Sequence, residues 1–372
     1  MDTAGGTVRR SRATRRWIVA AVCLAAGSLA LAACGSSSSG SSGGSTSGKV
    51  GVSLILKTLS NPYFVSMEKD AKTEAAKDNV NLTVAAGKED GDTQTQISAI
   101  DNAISRGDKG ILITENGNAV NTELAKARQA GLYVIALDTV PTPPSTVDIT
   151  YGTDNEAAGK LIGQYAAAKL NGGKAVIAML DLFNNQVVSV DIQRDHGFLE
   201  GMGISPGSTS LNGKEAKTGK YTGGKGDYVI ACHQPTTGAI PGGKTAMENC
   251  LSANPNINVV YTINEPAADG AHQALQAAGK NNVMIMTIDG SCNYVNGLLK
   301  NGTIAADSAQ YPGKMASIGV KTLASIARGG AKPTLPAGKD FINTGTALIT
   351  ANPVPGVDSQ TPEKAASACW GS

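Results

Sequence analysis

Residues 258–276 read NVVYTINEPAADGAHQALQ, and this stretch decides the fold. Val259, Val260, Tyr261 and Ile263 make a short apolar run of the kind buried in a parallel strand. The run stops at Asn264-Glu265-Pro266, and a helical pattern follows through Ala267, Ala271, Ala274, Leu275 and Ala278. Buried strand, polar tip and helix make one βα unit. In open α/β sheets, ligands sit at the carboxyl ends of strands. Outward from here the same order recurs: residues 50–56 lead to Asn61, 132–137 to Asp138 and 283–288 to Asp289. These tips are expected to converge on one small polar ligand.

The N-terminal half holds four such units in a row. Strand 50–56 meets Asn61-Pro62, a good N-cap with proline at the first helical position, and the next helix carries Phe64, Met67, Ala71 and Ala75 on one side. Strand 82–86, helix 93–105, strand 110–114, helix 120–130 and strand 132–137 follow. Repeated βα units argue for an α/β, doubly wound parallel sheet with right-handed crossovers. Residues 148–154 read as a crossing into a second lobe of the same design, with helix 157–170, strand 175–180, helix 187–202, strand 228–232 and helix 244–251. Helix 312–327 is expected to return to the first lobe, and 341–349 holds two short strand-like runs. The aperiodic stretch 208–226 reads as a long surface loop.

At 372 residues the chain has room for two domains, and 41% hydrophobic content suffices for their cores. The formal charge of +2 is biased by the N-terminus. Residues 1–33 hold five Arg and one Asp, which leaves 27 basic and 29 acidic residues elsewhere. No basic field for nucleic acid and no polybasic anchor remain. Arg9, Arg10, Arg12, Arg15 and Arg16 form a positive region before an apolar run at 17–31, which predicts a signal peptide. It closes on Leu31-Ala32-Ala33-Cys34, which resembles a bacterial lipobox, with Cys34 as the lipidated residue. The Ser/Gly tract after it, to residue 48, reads as a tether. Setting Cys23 and Cys34 aside, Cys232, Cys250, Cys292 and Cys369 allow three disulfide connectivities in an oxidising compartment. Cys232–Cys250 is favoured because a strand end and the helix after it lie close, which leaves Cys292–Cys369 to pin the tail.

Catalytic chemistry finds little support. GAIPGGKT at 238–245 satisfies the P-loop pattern, but residues 233–237 separate the strand end from its first glycine. His196, His233 and His272 have no metal-ligand spacing, and no G-x-S-x-G elbow occurs. Asp90 and Asp92 precede a helix, where capping outranks acid–base work. No nucleophile stands beside a base, so neither an enzyme, a cofactor nor a metal is expected.

Asn, Asp, Gln and Arg at strand tips suit a polyhydroxylated ligand, because amides, carboxylates and guanidinium pair with hydroxyls, while Tyr63 and Phe64 can cover the apolar face of a sugar ring. Here a resemblance becomes explicit. Ser60-Asn61-Pro62-Tyr63-Phe64, VIALD at 134–138, Arg194-x-x-Gly197-Phe198, Asn264-Glu265, Ile288-Asp289-Gly290 and Ala309-Gln310-Tyr311-Pro312 resemble the ribose-type (type I periplasmic) sugar-binding proteins of bacterial ABC importers. AMENCL at 246–251, INVVYTINEPAA at 257–268, GILIT at 110–114 and the terminal Cys369-Trp370-Gly371 look like the fructose-binding branch.

The resemblance implies two Rossmann-like lobes joined by three hinge crossings: residues 49–152 plus 311–341, and residues 153–310 plus 342–372. It implies a monosaccharide in the cleft, held by Asn61, Tyr63, Phe64 and Asp138 from the first lobe, by Arg194, Asn264 and Asp289 from the second, and by Gln310 near the hinge. Thr139 stands where ribose binders often place Arg, which argues against strict ribose specificity. The implied partners are an ABC permease and its ATPase, with the membrane touched through the lipid alone and the receptor a monomer. A sugar or autoinducer receptor for signalling is the alternative with the same fold. A related DNA-binding repressor is discounted, because the lipobox and tether occupy the place of its headpiece.

Overall fold

Two sheets carry the chain, and both grow from the apolar runs that the sequence marks. The computed structural model describes residues 48–371. The expected signal segment, Cys34 and the tether up to residue 47 lie outside the described residues. In chain order the first lobe contains β1 (Val50–Leu56), α1 (Pro62–Lys77), β2 (Val80–Ala86), α2 (Thr93–Arg106), β3 (Gly110–Ile113), α3 (Asn121–Gln129), β4 (Tyr133–Leu137) and β5 (Ile149–Gly152). The second holds α4 (Asn155–Leu170), β6 (Ala175–Asp181), α5 (Ser189–Gly201), β7 (Thr218–Tyr221), β8 (Gly226–Pro235), α6 (Ile240–Ala253), β9 (Val259–Thr262), α7 (Glu265–Ala277), β10 (Met284–Asp289), α8 (Cys292–Tyr294) and β11 (Ala306–Ala309). The chain then crosses back for α9 (Pro312–Ala327) and β12 (Ile342–Asn343), and again for β13 (Ala347–Ile349) and α10 (Pro362–Ala365).

The first sheet runs β12-β5-β4-β3-β1-β2 with every neighbouring pair parallel. Its two faces are covered separately. Leu54, Leu56, Ile135 and Leu137 pack toward α1 and α9, whereas Ile55, Ile111, Ile113 and Val134 pack toward α2 and α3. Burial on both faces is why these strands are apolar without alternation. The second sheet runs β13-β11-β10-β9-β6-β8-β7, with antiparallel strands at its two edges. The α/β architecture expected from the repeated βα units is present in both lobes.

Three details differ from the sequence reading. Ile342–Asn343 pair with Tyr151 and Gly152, so the first sheet continues past residue 341. Stretch 208–226 is not all loop: β7 pairs with β8 and buries Tyr221, while its Thr, Gly and Lys stay exposed and give no periodic signal. Helix α6 begins at Ile240 rather than Lys244, because Pro241 occupies its first turn. Both expected disulfides form, Cys232–Cys250 with 5.6 Å between Cα atoms and Cys292–Cys369 with 4.9 Å. The second brings Trp370 back between the lobes, where its ring packs with the first-lobe core and not with the second alone.

Candidate functional site

The strand tips meet. Asn61, Tyr63, Phe64, Asp138, Arg194, Asn264, Asp289 and Gln310 all line one cavity of about 30 Å³ between the lobes. Sequence reasoning did not include five further lining residues: Lys57, Asp90, Leu182, Val190 and Ile263. Lys57 directly follows β1, four residues before the marked Asn61, and Ile263 directly precedes the marked Asn264, so a tip read from the strand end itself reaches both. Asp90 and Asp92, weighed together, have separate places. Asp92 caps α2, accepting from Thr95 N at 3.1 Å, while Asp90 faces the cleft. Burial raises the Asp90 carboxyl to about 6, against the pull of Lys57.

From the first lobe, Asn61 caps α1 by accepting from Tyr63 N at 2.9 Å. The cap directs Tyr63 and Phe64 inward, and their rings meet edge to face at 5.2 Å. Tyr63 donates to Asp138 Oδ1 at 3.1 Å, and burial followed by the nearby Asp138 charge holds its phenol well above the usual range. Asp138 leaves β4 with φ of +66°, a left-handed backbone that Asp tolerates better than most residues. Thr139 Oγ1 donates to it at 3.0 Å, and Lys57 Nζ lies 3.9 Å away.

From the second lobe, Arg194 projects from α5. Its Nε donates to Asn155 Oδ1 at 2.7 Å and its Nη1 to the Ile263 carbonyl at 2.9 Å. The guanidinium reaches Asp138 at 3.8 Å and Asp289 at 3.9 Å, so one cation faces acids of both lobes. Close packing of α4 on α5 sets this position. A Cβ on Gly159 would run into the Arg194 carbonyl, and one on Gly197 into that of Glu156. Asn264 accepts from Ala267 N at 3.0 Å as the cap of α7 and donates to the Gly238 carbonyl at 3.0 Å. Much of its hydrogen-bonding capacity is therefore spent on scaffold.

Asp289 sits above a layer of buried acids. Gln310 Nε2 donates to its Oδ1 at 3.0 Å, Asp307 accepts from Asp289 N at 2.9 Å, and Glu265 accepts from Ser291 N at 2.8 Å. Burial raises Asp289 to about 8, offset by Arg194 and reinforced by Asp307 and Asp138. Burial, with Asp307 and Asp289, pushes Glu265 well above the carboxylate range. Gln310 Oε1 is buried and has no hydrogen-bond partner among the described residues, which leaves an acceptor at the cleft. Trp370 contacts both walls: its Nε1 donates to the Asp289 carbonyl at 2.8 Å and its ring meets Tyr63 edge-on at 5.4 Å.

The P-loop match has a different explanation. Gly242 and Gly243 lie inside α6, where a Cβ would run into the Thr236 or Ala267 carbonyl, so these glycines serve close helix packing. Lys244 is exposed and does not border the cleft.

Residues 52–331 match the family described as periplasmic binding protein domain. The ribose import binding protein RbsB of Escherichia coli (strain K12) is 28% identical over 279 residues, covering 75% of this chain and 85% of its own. The D-allose-binding periplasmic protein of the same organism is 24% identical over 306 residues, covering 80% and 91%. A solved galactofuranose binding protein superposes with a TM-score of 0.69 at 22% identity, covering 86% of this chain and 97% of its own. A solute-binding protein from Burkholderia graminis in complex with D-arabinose gives 0.67 at 25% identity, covering 82% and 96%. Among the described residues no helix is long and apolar enough to cross a membrane. The matched family implies work outside the cytoplasm. The chain belongs to the periplasmic binding protein family, whose members here are type I sugar-binding proteins of ABC importers and bind solutes rather than transform them.

Proposed function

We propose that this chain is the extracytoplasmic substrate-binding lipoprotein of an ABC sugar importer, taking a monosaccharide into the inter-lobe cleft by hinge closure. The observation that carries this reading is Arg194, which faces Asp138 of one lobe and Asp289 of the other within a single cavity. A ligand touching all three is held by both lobes at once, and that differential contact favours the closed form. The ligand set is Asn61, Tyr63, Phe64, Asp138, Arg194, Asn264, Asp289 and Gln310, joined by Lys57 and Asp90. A cavity of about 30 Å³ has room for roughly two waters. A sugar ring therefore enters only when the lobes part, and hinge motion about the three crossings supplies that opening.

Fructose leads the candidates through the segments at 110–114, 246–251 and 257–268, with Thr139 set against strict ribose recognition. Relatives named for ribose and D-allose support the broader class of monosaccharides. Signal segment 1–33, lipidated Cys34 and the tether complete the proposal, with an ABC permease and ATPase as partners of a monomeric receptor. Calorimetry of the full chain with fructose, ribose, allose and inositol tests it. Saturable binding of one of them that disappears in Asp138→Ala and Arg194→Ala is expected, and unchanged affinity in both rejects the site. Cys34→Ser is expected to move the protein from the membrane fraction to the soluble one.

A further inference from the structure

The second lobe gathers a histidine and several carboxylates in a place that sugar binding does not use. Asp181 ends β6, Asp195 lies on α5, Glu215 precedes β7 and His233 lies on β8; none of them lines the inter-lobe cavity. His233 is fixed at both ring nitrogens. Nδ1 is 2.7 Å from Asp181 Oδ2 and 3.9 Å from Asp195 Oδ2, while Nε2 is 3.1 Å from Glu215 Oε1. Glu215 in turn accepts from Lys217 Nζ at 2.7 Å. The contact of Nε2 with Glu215 is the one that orients metal-binding histidines, and an ion at Nδ1 would take the place of the proton now shared with Asp181.

Asp195 supplies an independent observation. It is 0% exposed, and among the described residues no donor group reaches either of its carboxyl oxygens, whose one hydrogen-bonding neighbour is the Asp181 carboxyl. No donor among the described residues reaches Asp181 Oδ1 or Glu215 Oε2 either. Buried acceptors without donors are costly, and carboxylates crowded together are more so. One ligand atom each from Asp181, Asp195 and His233 lies within 4.8 Å of the others, so modest side-chain shifts allow one ion to bridge all three. A separate cavity of about 480 Å³ opens on the cluster, lined by Asp181, Asn212, Gly213 and His233, and gives a path for entry.

We propose that Asp181, Asp195 and His233 bind one divalent transition-metal cation, with Glu215 as the outer carboxylate that orients His233. The donor set selects the metal. An imidazole nitrogen disfavours calcium and magnesium, which take oxygen ligands, and two carboxylates disfavour soft Cu(I); one nitrogen with two oxygens and an open position suits Zn²⁺. The spacing rule for metal motifs passes over this site because its residues come from four separate segments, 52 residues apart at the extremes.

The competing account is a proton shared between Asp195 and Asp181. Asn has the shape of a neutral Asp, so Asp195→Asn preserves a proton-sharing network and removes a metal ligand. Tag-free full-length protein is stripped with EDTA, equilibrated with micromolar Zn²⁺, dialysed and analysed for bound metal, alongside thermal melts with and without the ion. The expected result is stoichiometric zinc and a melting temperature raised by the ion, both lost in Asp195→Asn and in His233→Gln. Glu215→Gln is expected to weaken zinc binding by about 10–100-fold. His233→Gln also stands as the second variant if Asp195→Asn folds poorly. A wild-type chain that retains no zinc, or variants that keep the wild-type stoichiometry, overturns the site. Sugar titrations of the same samples read the cleft separately, so either proposal can fail without the other.

Discussion

The two walls of the cleft are built on different electrostatic plans. On the first-lobe wall, Asp138 has a cation of its own lobe, Lys57, at 3.9 Å and two hydroxyl donors, Tyr63 and Thr139. On the second-lobe wall, Asp289 stacks over Asp307 and Glu265, three buried carboxyls with Arg194 as their cation. That wall holds surplus negative charge, balanced by Arg194 and by protons. The difference teaches that Arg194 has two duties: it presents donors to the cleft and it keeps its own lobe's acids tolerable. Lys57 lies 3.9 Å from Asp138 and also pulls on Asp90, but no stacked layer of carboxyls depends on it.

Removing Arg194 is therefore the hardest blow to the cleft. Arg194→Ala is expected to weaken sugar binding by about 2–5 kcal/mol, since it removes the cation that faces Asp289, while Asp138 keeps Lys57. Lys57→Ala should cost less. Calorimetry on both variants checks the order, and equal losses would mean that the walls are equivalent. The next largest effect falls on the tail that ties the walls together. Cys369→Ser opens the disulfide to Cys292, and a stability loss of about 2–4 kcal/mol in denaturant melts is expected. Trp370 is 8% exposed and the only tryptophan besides Trp17, so its release reads out as a red shift in fluorescence.

Much of this contrast was legible in the sequence, and what escaped did so for a physical reason. Apolar runs ending in Asn264, Asp138 and Asp289 place those residues at strand tips, because parallel strands buried on both faces leave a period-free signal with an abrupt polar stop. Tyr63 came from its aromatic chemistry and Arg194 from the resemblance at Arg194–Phe198, since no tip rule finds either. The acid layer under Asp289 stayed hidden. Asp307 lies inside a strand and Glu265 opens a helix, so each reads as an ordinary local feature until the fold stacks them. Strand β7 stayed hidden too, since an exposed edge strand of Thr, Gly and Lys has no apolar face to announce it.

The spacing of α4 on α5 offers a milder way to disturb one wall only. A Cβ on Gly197 meets the Glu156 carbonyl, so Gly197→Ala should push the helices apart and cost about 1–3 kcal/mol of stability. Sugar affinity should fall with it, because Asn155 on α4 orients Arg194 on α5. A variant that loses stability at unchanged affinity would show that Arg194 does not depend on that helix pair.

Surplus charge on the second wall also predicts an unusual pH response. An Asp carboxyl that titrates near its ordinary 3.8 when unfolded and near 8 in place binds more protons folded than unfolded between those values. Its contribution to stability is thus present below about pH 4 and lost as pH rises through 8, the reverse of a salt-bridged acid. Thermal melts from pH 5 to 8.5 should show the wild type losing ground to Asp289→Asn as pH rises. A difference between the two that does not change with pH would place the proton elsewhere in the layer.

Tyr63→Phe is the smallest and most discriminating change to the first wall. It removes one donor to Asp138 and leaves the ring contacts with Phe64 and Trp370 in place. Asp138 keeps Thr139 and Lys57, so no buried carboxylate is stranded and the loss should stay near that of one hydrogen bond, about 0.5–1.5 kcal/mol. Denaturant melts and sugar calorimetry measure it directly. If Tyr63→Phe instead costs as much as Arg194→Ala, Lys57 is not balancing Asp138, and the first wall is as dependent on a single donor as the second is on its single guanidinium.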